Sequence, residues 1–311
     1  MELSLASGRY RALAYGAGTA VFAAALFYLF AFAADHWAEL RQSDLRGLEG
    51  GWLAAAVAAY CASVVTTSLA WPAILKSLGR PLPLSTALPV SLAAQSGKYL
   101  PGNVAHYVGR AALAARNSVP VRMSAASTAV EFASAMAAAL IICLAMAAVD
   151  PRFLAPLDLG WSDGTWRLGI VAAAVSLLLI FIVAARQSPF LSRLMRWGLW
   201  LRPIAFLLLS FALAGFSFFA VSEAIGTGAL TIEAAIAIFA AAWAVGFAVP
   251  GAPAGLGVRE AVIILLAAPF LTPTGAMLCA LLHRLMSAVV DGAMALLGAA
   301  LLVRKGAPHG G

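Results

Sequence analysis

The sequence predicts an all-α polytopic membrane protein, with about six transmembrane helices and two re-entrant, broken-helix hairpins in an inverted-topology repeat. Three observations predict it. The 311 residues are 63% hydrophobic and only 11% charged, whereas a soluble domain carries roughly a quarter charged residues. Six apolar segments approach or exceed the ~20 residues that span a bilayer as a helix. Two further apolar regions are interrupted by a Pro-Gly pair, which stops a helix.

The segments run in order. Arg9 and Arg11 precede an apolar run, Ala12–Ala34, that is too long for a signal-peptide core and has no clear cleavage site, so it reads as a retained first helix. Gly51–Pro72 follows, then the broken region 84–115, then Val121–Val149. The second series is Trp166–Ala184, Pro203–Ser222, the broken region 233–270 and Thr274–Val303. The whole chain is thus one membrane domain, 1–311, with a first half at 1–150 and a second, inverted half at 165–305. Each half reads helix, helix, broken hairpin, helix, and the two start on opposite sides of the membrane. This is the layout of many secondary transporters, whose discontinuous helices meet near the midplane.

Charge sets the orientation. With the N-terminus cytoplasmic and both broken regions re-entrant, Arg9, Arg11, Lys76, Arg80, Arg116, Arg122, Arg186, Arg193, Arg196, Arg202, Arg304 and Lys305 lie inside. Only Arg41, Arg46, Arg152 and Arg167 lie outside. That asymmetry predicts a bacterial cytoplasmic (inner) membrane protein with both termini in the cytoplasm. Two full crossings in place of each hairpin, eight crossings in all, keep every other loop on its side, so charge leaves both topologies open. The net charge of +7 sits in membrane-flanking loops and does not indicate nucleic acid. Cys61, Cys143 and Cys279 are scattered in apolar stretches, where packing is the ordinary role.

Candidate site residues concentrate at the two breaks. In `GKYLPGNVAHYVGR` (97–110), Pro101 and Gly102 end one half-helix and Asn103 is placed to cap the next. In `VPGAPAGLGVREA` (249–261), Pro250, Gly251, Gly255 and Gly257 shape the second bend. Irregular backbone at membrane depth must line a cavity or be buried in protein, and a helix N-terminus there favours anions. Arg110 follows Gly102 by eight residues, and Arg259 follows Gly251 by the same spacing. Eight helical residues rise about 12 Å, which predicts one arginine near each headgroup level, gripping phosphate bidentately. Lys98 and His106 are further candidates for lipid or phosphate binding. Snorkelling explains an isolated Arg or Lys near a helix end equally well, and His106 and Tyr107 also suit plain packing.

Glu131 and Arg284 each lie about ten residues into a spanning segment, with His283 beside the arginine. Ionised groups at that depth face a cavity and pair. Glu131, His283 and Arg284 are therefore the expected central gate, with Glu131–Arg284 as its ion pair or as a structural tie between the halves. Glu260 adjoins Arg259, and Asp291 has Arg259 or Arg284 within reach of expectation.

No catalytic motif is visible. HExxH, GxSxG, CxxC and paired carboxylates do not occur, and His106 and His283 lie too far apart in sequence to suggest a metal site. `GAPAGLG` lacks the strand and spacing of a nucleotide loop. The expectation is a protein that is not an enzyme and uses neither cofactor nor metal.

Taken together, `GKYLPGNVAHYVGR`, the mid-helix Glu131, `VPGAPAGLGVREA` and `HRLMSAVVD` (283–291) resemble the lysylphosphatidylglycerol synthase transmembrane family, also described as flippase-like. The resemblance covers most of the chain and marks Lys98, Pro101, Gly102, Asn103, Arg110, Glu131, Gly255, Gly257, Arg259, Glu260 and Arg284. It departs at Phe132, where many members carry an arginine, and at Ala254, where a glycine is common. The sequence stops a few residues past its last apolar segment, so the likeness extends to the membrane region and not to the family's soluble aminoacyl-transferase domain. The resemblance implies movement of a lipid between leaflets, with relatives beside glycosyltransferases and in hopanoid-biosynthesis loci. The expected partners are a membrane lipid substrate and lipid-biosynthetic or glycosyltransferase enzymes. The rival expectations are an accessory subunit of glycolipid, cell-envelope or hopanoid synthesis, and a membrane-embedded lipid-modifying transferase.

Overall fold

The computed structural model describes residues 34, 47–99, 105–157, 197–249 and 255–306, and every regular element among them is helical. The expected helices at Ala12–Ala34, save its last residue, and Trp166–Ala184 lie outside the described residues. So do Pro101, Gly102, Asn103, Pro250 and Gly251.

Among the described residues, four helices are long and apolar enough to cross a membrane. They are α1 (Gly50–Ser77), α4 (Val121–Val149), α5 (Trp197–Ala224) and α8 (Pro273–Gly306). At 28 to 34 residues each rises beyond the ~30 Å hydrocarbon core. Each overlaps an expected span. The broken regions resolve into short helices: α2 (Leu84–Ala94) and α3 (Ala105–Ala115) in the first, α6 (Ile232–Ala248) and α7 (Val258–Ala267) in the second. A 3-10 turn, Gln95–Tyr99, extends α2. The 10- and 11-residue helices α2, α3 and α7 rise only about 15–17 Å, half of a bilayer core. The chain is an all-helical, multi-pass membrane protein.

Local chemistry fixes the ends. The Thr231 side chain accepts a hydrogen bond from the Ala234 N–H at 3.2 Å, with Glu233 in the first turn of α6. Pro273 opens α8, where its missing N–H costs nothing. Past α4, in the loop read as lying outside the membrane, Arg152 donates to Asp150 from Nη2 at 2.7 Å. These bonds hold the Asp150 carboxyl below its ordinary range. The Arg152 guanidinium also lies over the Phe270 ring, 5.1 Å from its centroid.

Helix α1 packs along α5, α2 against α8, and α6 against α4. Every close helix pair among the described residues has a counterpart when α1–α4 are exchanged for α5–α8: α1–α2 with α5–α6, α3–α4 with α7–α8, α4–α5 with α8–α1. The α1–α5 contact is reciprocal in its hydrogen bonds. Ser63 Oγ donates to the Ser210 carbonyl at 2.9 Å, and Ser210 Oγ to the Ser63 carbonyl at 3.1 Å. Each serine is the fourteenth residue of its 28-residue helix.

Small side chains let the backbones approach, as membrane helices require where lipid is as apolar as the core. A Cβ on Gly298 of α8 would lie 2.8 Å from both the Pro89 carbonyl and the Leu92 Cβ of α2. Gly298→Ala should therefore cost about 1–3 kcal/mol through overpacking. Gly109→Ala in α3, where a Cβ meets nothing within 4 Å, should be neutral or stabilise by up to about 1 kcal/mol. Thermal midpoints of the two variants in detergent should move in opposite directions or differ clearly in size.

Candidate functional site

A cavity of about 150 Å³ lies among α1–α8 and is lined by residues from both broken regions and all four long helices. Four cations line it: Lys98, Arg110, Arg259 and Arg284. Glu131 and Asp291 line it too, and Glu260 stands behind Arg284. Buried charges in a membrane are costly unless compensated, and each carboxylate has a cation.

Arg110, on α3, forms a two-pronged ion pair with Glu131 of α4. Nη1 donates to Oε1 at 3.1 Å, and Nη2 donates to Oε2. The guanidinium lies over the rings of Trp71 and Tyr107, 4.9 and 5.2 Å from their centroids. Trp71 is itself fixed, its Nε1 donating to Ser127 Oγ at 3.0 Å. Planar bidentate pairing and stacking suit arginine and no other cation.

Lys98 Nζ meets Asp291 Oδ2 at 2.7 Å, joining the turn after α2 to the middle of α8. The carboxylate is fully buried, whereas the lysine is 23% exposed. Tyr60 OH also donates to Asp291 Oδ2, at 3.4 Å. In the second hairpin, Glu260 Oε2 accepts the Gly257 N–H at 2.6 Å, capping α7, while its Oε1 lies 3.5 Å from Arg284 Nε. Gly255 and Gly257 have φ of +69° and +80°, which glycine alone adopts readily. At Gly255 a Cβ would also stand 3.0 Å from the backbone of Gly246, so α6 and the bend touch backbone to backbone.

Two expectations are corrected. Glu131 pairs with Arg110, not Arg284, because the short α3 carries Arg110 directly against α4. Arg284 lies beside Glu260 instead. Arg110 and Arg259, expected one near each headgroup level, both line this cavity. Arg259 is only the second residue of α7, so its eight-residue spacing from Gly251 is not eight residues of α-helix. Arg259 sits over Phe239, 5.1 Å from its centroid.

The histidines divide. His106 lines the cavity with its ring 3.8 Å from that of Tyr107. His283 does not line it; the ring is caged edge-on by Tyr60, Phe218 and Phe239, at 5.3 to 5.7 Å between centroids. Its buried Nε2 has no hydrogen-bond partner among the described residues. Sequence reading missed the hydroxyls of Tyr60, Ser63, Thr67, Ser91 and Ser210 on the cavity wall. Polar side chains inside apolar helices were their signal. It named only Arg259 or Arg284 as possible partners of Asp291 and did not foresee Lys98.

Glu131→Ala should strand the buried Arg110 charge and cost about 3–5 kcal/mol. Replacing both Arg110 and Glu131 by leucine should cost much less than the two single losses added together. A double-mutant cycle on thermal unfolding in detergent measures that coupling.

No curated protein matches the chain. A family match spans most of it, and it encloses both hairpins, the three ion pairs of the site and the cavity between them. The matched family is described as the lysylphosphatidylglycerol synthase TM region, and by that match, over residues 15–295, the chain belongs to it.

Proposed function

We propose that this protein moves a lipid with an anionic headgroup, a phospholipid or a polyprenyl-phosphate-linked glycan, between the leaflets of a bacterial cytoplasmic membrane. The observation that carries the reading is the cavity among membrane-spanning helices on which Lys98, Arg110, Arg259 and Arg284 converge. Among the described residues these four cations face three carboxylates, Glu131, Glu260 and Asp291. A phosphate headgroup accepts charge-assisted hydrogen bonds from such a set of cations.

On this reading Arg110 is the fixed cation, held by Glu131 and two rings. Lys98 and Arg259 are the cations that meet the headgroup from the two hairpins. The exchange-symmetric helix contacts and the reciprocal Ser63–Ser210 bonds support two halves related as an inverted repeat. Such a pair can rock about a central site and expose it to one face, then the other. The loop basicity supports cytoplasmic termini. The role is transport rather than catalysis, and the enzymes that make or use the lipid are its functional partners.

Vesicles containing the purified protein and fluorescent phosphatidylglycerol test this by leaflet-selective quenching. The Lys98→Gln, Arg259→Gln variant should lose about tenfold or more in transbilayer rate, the scale of one or two charged hydrogen bonds. Arg152→Gln, at an exposed residue outside the cavity, should leave the rate unchanged. Equal rates in the double variant and the parent would remove the proposal.

A further inference from the structure

The cavity accounts for a headgroup but leaves the hydrocarbon tail without a path. A lipid whose phosphate sits among Lys98, Arg110 and Arg259 must still keep its tail in hydrocarbon. That demands a slot that begins at the cations, runs along apolar side chains and opens on the membrane-facing surface.

One such path is present. Tyr107 of α3 carries the Arg110 guanidinium on its ring and touches Phe247 of α6, at 6.2 Å between centroids. Phe247 stacks on Trp243 at 5.2 Å and 20°, and lies 5.1 Å from Phe132 of α4. Tyr107, Trp243 and Phe247 all line the cavity. Phe132 does not; it is 36% exposed on the outer surface. Glu131 points inward to Arg110 and its neighbour Phe132 points outward, because successive helical residues are turned by about 100°. Val108 of α3 and Val245 of α6 are strongly exposed, so both helices present apolar side chains at their surface.

The seam is closed in an unusual way. Helices α3 and α6 are not a closely packed pair; the Tyr107–Phe247 ring contact bridges them. A wall made of side chains opens by rotamer changes, which are fast, without parting two packed backbones.

We propose that the α3–α6 seam, closed by Tyr107, Phe247 and Phe132, is a lateral portal that holds one hydrocarbon tail of the lipid whose headgroup occupies the cavity. The proposal rests on the translocation reading for its occupant. Tyr107 is the junction, with the cation on its face and the tail slot at its edge. Aromatic faces suit the task, since they offer wide apolar contact to a methylene chain and keep their shape when it leaves.

The full chain in nanodiscs, with phosphatidylglycerol bearing a diazirine in one acyl chain, provides the test. Irradiation followed by peptide mass spectrometry should place adducts on Phe247 and Trp243 as well as on the outward-facing Phe132 and Leu296. Lys98→Gln, Arg259→Gln should lower the Phe247 and Trp243 adducts by about tenfold, matching lost headgroup anchoring, with Leu296 labelling unchanged. Adducts confined to outward-facing positions, with Phe247 and Trp243 unlabelled, would overturn the portal. So would seam labelling that ignores the cavity variant. Transbilayer movement in vesicles is read separately: movement without seam labelling overturns the portal alone, and seam labelling without movement overturns translocation alone.

Discussion

A charge inside a bilayer must find its counter-charge inside the protein, and that constraint organises this molecule. Among the described residues three ion pairs meet it: Arg110–Glu131, Glu260–Arg284 and Lys98–Asp291. Each ties a hairpin to a long helix. The first two staple α3 to α4 and α7 to α8, so that each short helix is fixed to the spanning helix that follows it. The third crosses from the first hairpin to α8. Short helices of 10 or 11 residues are marginal in isolation, and the pairs add fixed points to their tertiary packing.

The two stapled hairpins are alike in plan and opposite in polarity. In the first, the short helix carries the cation and the long helix the acid; in the second, the short helix carries the acid. The functions of the acids differ accordingly. Glu131 is committed to one guanidinium held between two rings. Glu260 divides its oxygens between a helix-start N–H and Arg284. The first pair is the more rigid, since bidentate geometry leaves the guanidinium no freedom to rotate. The backbone contact between Gly246 and Gly255 does for the second hairpin what ring stacking does for the first.

Four of the long helices, and the division of both broken regions into shorter helices, were legible because apolar length and Pro-Gly or Gly-rich interruptions are local rules. Lys98, Arg110, Glu131, Arg259 and Arg284 were legible as individual candidates, though Arg110 and Arg259 were expected at opposite headgroup levels and not in one cavity. Their pairing was not legible, because it depends on where each helix starts. Arg259 looked eight helical residues from a bend, but α7 begins at Val258 and Arg259 is only its second residue. The aromatic seam was invisible for another reason. Phe132, Trp243 and Phe247 are ordinary residues for an apolar helix, and only their tertiary alignment from cavity to surface sets them apart.

The Lys98–Asp291 pair also bears on how the protein is made. About two hundred residues separate its partners, and at roughly 5–20 residues per second of synthesis this is on the order of ten to forty seconds. Through that interval Lys98 has no Asp291 to meet, and the surface of α2 that Gly298 will contact stands bare. The first hairpin therefore cannot settle at its final depth until the last helix inserts. Helix α8 is the keystone of assembly: a chain halted before it would hold most of the hydrophobic mass of the protein and still lack its finished interior.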